Sequence, residues 1–153
     1  MGWSTKRSTQ ASIFATVVAI AGALVVAGLL PLVPRVRQTG PVHVDTDWFT
    51  RALPAMYLCL AAGIAALVTL LIVLLAILHD QVFTTANVAR LRAISWCGVV
   101  IAVICVGAGL VYGALIAWGV IAIIAAFLAL IMRIIKNVID TARVLKDDAD
   151  YTI

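Results

Sequence analysis

Residues 94–132 form a run of 39 positions without one Asp, Glu, Lys, Arg or His. As a single helix this run would be about 58 Å long at 1.5 Å per residue. A bilayer's hydrocarbon core is only about 30 Å thick and is crossed by about 20 apolar residues. The chain must therefore turn back within the run, and two spans come from it, about 94–111 and 117–132. Two further apolar stretches precede it, about 12–32 and 54–78. Pro31 and Pro34 close the first, because Pro lacks the amide proton and clashes with the preceding turn. Pro54 suits the first turn of the second. The last turn falls at 112–116, among Gly107, Gly109, Gly113 and Gly119, which relax the backbone limits. Tyr112 and Trp118 are aromatic types that favour a membrane–water interface, and Trp3 and Trp96 mark the opposite one.

Beyond the fourth span, residues 133–148 hold neither Pro nor Gly. Ile135, Val138, Ile139, Ala142 and Leu145 fall at helical spacing and make one apolar stripe. Lys136 with Asp140, and Arg143 with Asp147, are opposite charges four residues apart. The fourth helix is thus expected to extend about 20 Å past the membrane. In the loop before the third span, Thr84 or Thr85 caps a short helix. Its face of Val88, Leu91 and Ser95 is expected to pack on the extended fourth helix. That region also offers a docking surface for a soluble partner, or a basic face toward anionic lipid. The fold expected is all-α: one integral membrane domain over residues 1–153, a four-transmembrane-helix bundle with a short inner-loop helix and a cytoplasmic extension of the fourth helix.

Composition agrees. The chain is 65% hydrophobic and 12% charged, against about 25% charged in a globular domain, so it has too little polar surface to cover itself in water. Charge then sets orientation. With the N-terminus inside, the inner side holds Lys6, Arg7, Arg90, Arg92, Arg133, Lys136, Arg143 and Lys146, and the outer side Arg35, Arg37 and Arg51. Eight bases against three follow the positive-inside rule and place both termini in the cytoplasm, in a plasma membrane. The excess of base is absorbed by this topology, and no basic aromatic surface for direct nucleic-acid binding remains. The apolar stretch behind Lys6 and Arg7 is longer than the 7–15 residues of a signal-peptide core, so it reads as an uncleaved helix.

Small residues recur at packing intervals. Ala15, Ala19, Ala23 and Ala27 form a ridge on the first span, and Gly109 with Gly113 forms a small-xxx-small pair. In lipid, such residues let helices approach closely. Packing within the chain is the expected use, and a homo-oligomer face is the other.

Candidate chemistry is sparse. The spans hold no ionisable residue of the kind that marks an ion or proton path. Thr16, Thr69 and Ser95 are their main polar groups, each expected to bond back to its own helix. Cys59, Cys97 and Cys105 fit no zinc or redox spacing and read as small apolar side chains. His43, Asp45 and Asp47 share one side of the outer loop if it is extended, a potential metal set. The reading adopted is a solvated loop anchored by Trp48 and Phe49, and no metal. His79 reads as a helix terminus. No nucleophile, phosphate-loop or metalloprotease motif is present. Neither enzymatic activity nor a cofactor is expected.

Two segments carry a resemblance. Phe83-Thr84, Asn87-Val88 and Leu91-Arg92 with Ile94 and Trp96 are similar to the inner-loop motif of a family of small bacterial four-span membrane proteins, domain of unknown function twenty-nine seventy-five. Leu145-Lys146-Asp147-Asp148 followed by Asp150 and Thr152-Ile153 resembles that family's C-terminal pattern. The resemblance covers about residues 55–153; Ala86 stands where an acid is common and Ala149 where Asn is usual. Members of the family look like partners of small helix-turn-helix regulators encoded beside them, which implies signalling or regulation. The function expected is non-enzymatic, a regulatory or interaction role at the plasma membrane. Its contact surface would be Thr84, Asn87, Arg90, Arg92, Asp147, Asp148 and Asp150, with the tail acids pairing with Arg90 and Arg92 as a latch. The bilayer is one partner, and a cytoplasmic regulator or other membrane subunits are the others. The alternatives are an accessory subunit of a larger respiratory or transport complex, and a transporter or immunity-type protein.

Overall fold

The computed structural model describes residues 3–34, 47–79, 85–112 and 115–151. Four helices carry the fold: α1 (Trp3–Leu29), α2 (Asp47–Leu78), α3 (Thr85–Tyr112) and α4 (Leu115–Tyr151). All four are long and apolar enough to cross a membrane. The protein is an all-helical, four-span membrane protein.

The helices are longer than the apolar spans, and each difference has a local reason. α1 starts at Trp3 rather than near Ser12, because its polar first turns contain nothing that breaks a helix. It ends at Leu29, and the Leu30 amide still bonds the Val26 carbonyl at 2.9 Å before Pro31 removes the next donor. α2 starts at Asp47, so Pro54 lies inside the helix and not in its first turn. Asp47, in the first turn, places negative charge at the positive end of the helix dipole. A proline inside a membrane helix is tolerated where neighbouring groups satisfy the freed carbonyl. The outer loop is correspondingly shorter, and Asp47, Trp48 and Phe49 are helical. His43 and Asp45 lie outside the described residues. At the other end of α2 the His79 ring Nδ1 donates to the Leu75 carbonyl at 2.9 Å, closing the helix.

The inner-loop helix and third span are one continuous helix, α3, and the fourth span and its extension are one continuous helix, α4. α4 begins at Leu115, two residues before the expected Ala117.

α3 packs most extensively along α4, less along α2, and α1 lies against α2. α1 is held there partly by the Tyr57 hydroxyl, which donates to the Ala27 carbonyl at 3.1 Å. The buried interior is narrow: Ala52 of α2, Cys105 and Ala108 of α3, and Trp118 and Ala122 of α4. Trp118, expected at an interface, is only 6% exposed and packs inside this cluster. Large side chains such as Phe14, Val103, Val111 and Ile123 point outward. That pattern suits lipid, where apolar surface has no reason to hide and small residues draw helices together.

Two glycines set the α3–α4 distance. A Cβ on Gly98 would stand 2.9 Å from the Ala129 Cβ and 3.2 Å from the Ala125 carbonyl oxygen. One on Gly109 would stand 3.2 Å from the Trp118 Cβ. Gly107 and Gly119 face open space. On α4 the residues that meet this seam are Trp118, Ala122, Ala125 and Ala129, all buried, at coiled-coil spacing.

Candidate functional site

Of the contact surface expected from sequence, Asn87, Arg90 and Arg92 lie together in the first turns of α3. Register follows from Ser95, whose hydroxyl donates to the Ala129 carbonyl at 3.0 Å. Thr16 and Thr69 do bond back to their own helices, to the Ser12 carbonyl at 2.8 Å and the Ala65 carbonyl at 2.7 Å. Ser95 does not; it ties α3 to α4. Next to Ser95 and one turn earlier in α3, Ile94 and Leu91 are buried, and Val88 a turn before them is half-buried. The start of α3 therefore packs into the bundle.

Asn87 is 2% exposed, and its Oδ1 accepts a bond from the Arg90 guanidinium at 2.9 Å. Among the described residues no buried side-chain nitrogen or oxygen lacks a partner. Asn87 thus belongs to the interior, and Arg90 is turned onto it rather than out toward the tail.

The helical register also sets the levels of Arg90 and Asp148. α3 and α4 run antiparallel, so with Ser95 level with Ala129, Arg90 is level with about residue 134. Asp148 lies fourteen residues further along a continuous helix, about 21 Å at 1.5 Å per residue. A straight α4 cannot bring Asp148 back to Arg90 or Arg92 of the same chain. Asp148 is exposed on the outer turns of α4. The side chains of Asp147 and Asp150, and all of Thr84 and Gly113, lie outside the described residues.

Arg92 points elsewhere, into a cavity of about 480 Å³ that it lines with Arg133, Lys136, Ser95, Trp96 and Val99. Lys136 forms no ion pair with Asp140 among the described residues; its Nζ stands 3.5 Å from the Asn137 Oδ1. From sequence, Arg92 is a latch residue, Lys136 a partner for Asp140 and Arg133 a member of the inner charge count; nothing there groups the three. What joins them is the antiparallel register, which spacing along one chain does not display.

α4 continues well past α3. The first residue of α3, Thr85, is level with about residue 139, so the last twelve residues of α4 project about 18 Å further. On and just before this projection Val138 is 63% and Leu145 65% exposed, with Ile139 and Ala142 half-buried between them. The expected apolar stripe is present, and most of it lies open.

The small-residue ridge of α1 divides. Ala23 and Ala27 are half-buried toward α2, while Ala15 and Ala19 are exposed. Gly109 is buried against α4. The cysteines remain free thiols, and the Sγ atoms of Cys59 and Cys105 meet across α2 and α3 at 3.7 Å.

A four-span helical membrane protein with a projecting fourth helix is the class these features define. Residues 9–153 match the model of a family described as protein of unknown function (DUF2975), and the chain belongs to that family. The match takes in most of α1 and the loop behind it, which the motifs alone did not reach. No curated protein and no solved structure shows significant similarity to the chain.

Proposed function

We propose that this protein is a non-enzymatic regulatory or interaction protein of the plasma membrane, and that the projecting end of α4 is its docking element. The supporting observation is the exposure of Val138 and Leu145, with Ala142 half-buried between them, where α4 runs past the first residue of α3. An amphipathic helix with anchors three and four residues apart is the form that lies into an apolar groove of a partner. Eight inner bases against three outer ones support a cytoplasmic position for this end. The partner is therefore a soluble cytoplasmic protein.

The test is purification of the full chain in mild detergent, compared with Val138→Asp/Leu145→Asp. The reading expects a stoichiometric soluble protein with the wild type and its loss from the variant, with the variant still inserted in the membrane. Wild type recovered only with other membrane subunits, unaffected by the variant, would instead make it an accessory subunit. The same soluble partner on both proteins would move the contact elsewhere.

A further inference from the structure

The basic cavity does not end at its cations. A second hollow of about 210 Å³ shares Ser95, Val99 and Arg133 with it and continues between Ala102, Val103, Ala126 and Leu130. A third, of about 390 Å³, shares Ala102, Val103 and Ala126 with the second and runs on to Val106, Ala122 and Ile123. Together they form one groove along the outer face of the α3–α4 seam. Its floor is low because Ala102, Ala122 and Ala126 are short. Its rim stands higher because Val103, Val106 and Ile123 are not.

The groove is charged at one end and apolar along the rest. From Ser95 to Val106 it runs eleven residues, about 16 Å at 1.5 Å per residue. That is one leaflet of a hydrocarbon core about 30 Å thick. At the charged end Arg92, Arg133 and Lys136 share one cavity, and among the described residues no carboxylate pairs with them. Three cations lining one cavity beside hydrocarbon repel one another, an anion among them relieves that repulsion, and charge-assisted hydrogen bonds to phosphate are of the strong kind. Trp96, 61% exposed on the same wall, is the residue type that settles at headgroup depth.

We propose that this groove is a binding site for one anionic phospholipid. The phosphate sits among Arg92, Arg133 and Lys136, and one acyl chain lies over Ala102 and Ala126 toward Val106. A free phosphate would use the cations and leave the groove without purpose. A neutral lipid would use the groove and leave the cations unopposed. Only an amphiphile with an anionic head uses both.

The full-length protein in mild detergent is titrated with phosphatidylglycerol, with phosphatidylcholine and with inorganic phosphate. Bound lipid is counted by native mass spectrometry and the unfolding midpoint is followed in parallel. The proposal expects one retained phosphatidylglycerol and a rise in midpoint that neither phosphatidylcholine nor phosphate reproduces. Arg133→Gln should weaken retention roughly tenfold, the scale of one lost charge-assisted bond. Arg143→Gln, which removes the same charge from α4 outside the groove, should leave it unchanged. Ala126→Phe fills the groove and keeps every cation, and should also release the lipid. Equal retention of phosphatidylcholine, an equal midpoint shift with phosphate alone, or full retention in both Arg133→Gln and Ala126→Phe would each overturn the proposal.

Discussion

The Ser95 hydroxyl donates to the Ala129 carbonyl across the α3–α4 seam at 3.0 Å, and both residues are buried. This one bond fixes the register from which the other relationships follow: the level of Arg90, the meeting of Arg92 with Arg133, and the length of α4 left projecting. Its energy is modest. Hydrogen bonds between membrane helices average about 0.6 kcal/mol by double-mutant cycles, and the Ala129 carbonyl keeps its own helical partner. Ser95→Ala is therefore expected to destabilise by about 0.6 kcal/mol, measured by unfolding in mixed detergent. Thr69→Ala, which removes only a bond within α2, should cost less.

Gly98 has a stricter requirement. Its missing Cβ would overlap the Ala129 methyl at 2.9 Å and crowd the Ala125 carbonyl, which is backbone and cannot turn aside. Gly98→Ala should destabilise by about 1–3 kcal/mol, the usual range for overpacking, and Ala129→Gly should restore part of the loss. Gly107→Ala, at a position facing open space, should be neutral or slightly stabilising, since glycine costs a helix more backbone entropy than alanine. Equal losses at Gly98 and Gly107 in the same unfolding assay would show that the helices do not meet as described.

Cys59 and Cys105 supply an independent check on α2 against α3. Their sulfurs are 3.7 Å apart as free thiols, while Cys97 takes no part in that contact. Mild oxidation of the Cys97→Ser variant in membranes should join residues 59 and 105 within one chain, detected by mass spectrometry of the linked peptides. A product linked only between chains would contradict the packing of α2 on α3.

Much of the fold was legible along the chain, and the reason is solvent. Hydrocarbon obliges every backbone group to bond inside its own helix, so a run such as 94–132 announces two helices and a turn. Residues such as Pro54 and Trp118 misled, because their usual habits, a first turn and an interface, yield to the neighbours they meet in the fold. Gly98, Ser95 and the Cys59–Cys105 contact were not legible as a set, since each depends on which residue of another helix stands opposite. The levels of the latch residues were hidden for a related reason. Opposite charges in Arg90 and Asp148 suggest a pair, but a helix without Pro or Gly between 120 and 151 holds them about 21 Å apart along its axis. The cation site was hidden in the same way, its members being separated by some forty residues in sequence and brought together by the hairpin.

The central claim is that the end of the molecule carrying the open stripe faces the cytoplasm. Substituted-cysteine labelling tests it most directly. On a background with Cys59, Cys97 and Cys105 replaced by Ala, single cysteines are placed at Tyr151, 91% exposed at the end of α4, and at Ile116, 87% exposed beside the outer turn. Intact cells are treated with a membrane-impermeant thiol reagent. The account expects Ile116→Cys to label at once and Tyr151→Cys only after the membrane is permeabilised; the reverse order would place the stripe outside and remove the cytoplasmic partner from the account.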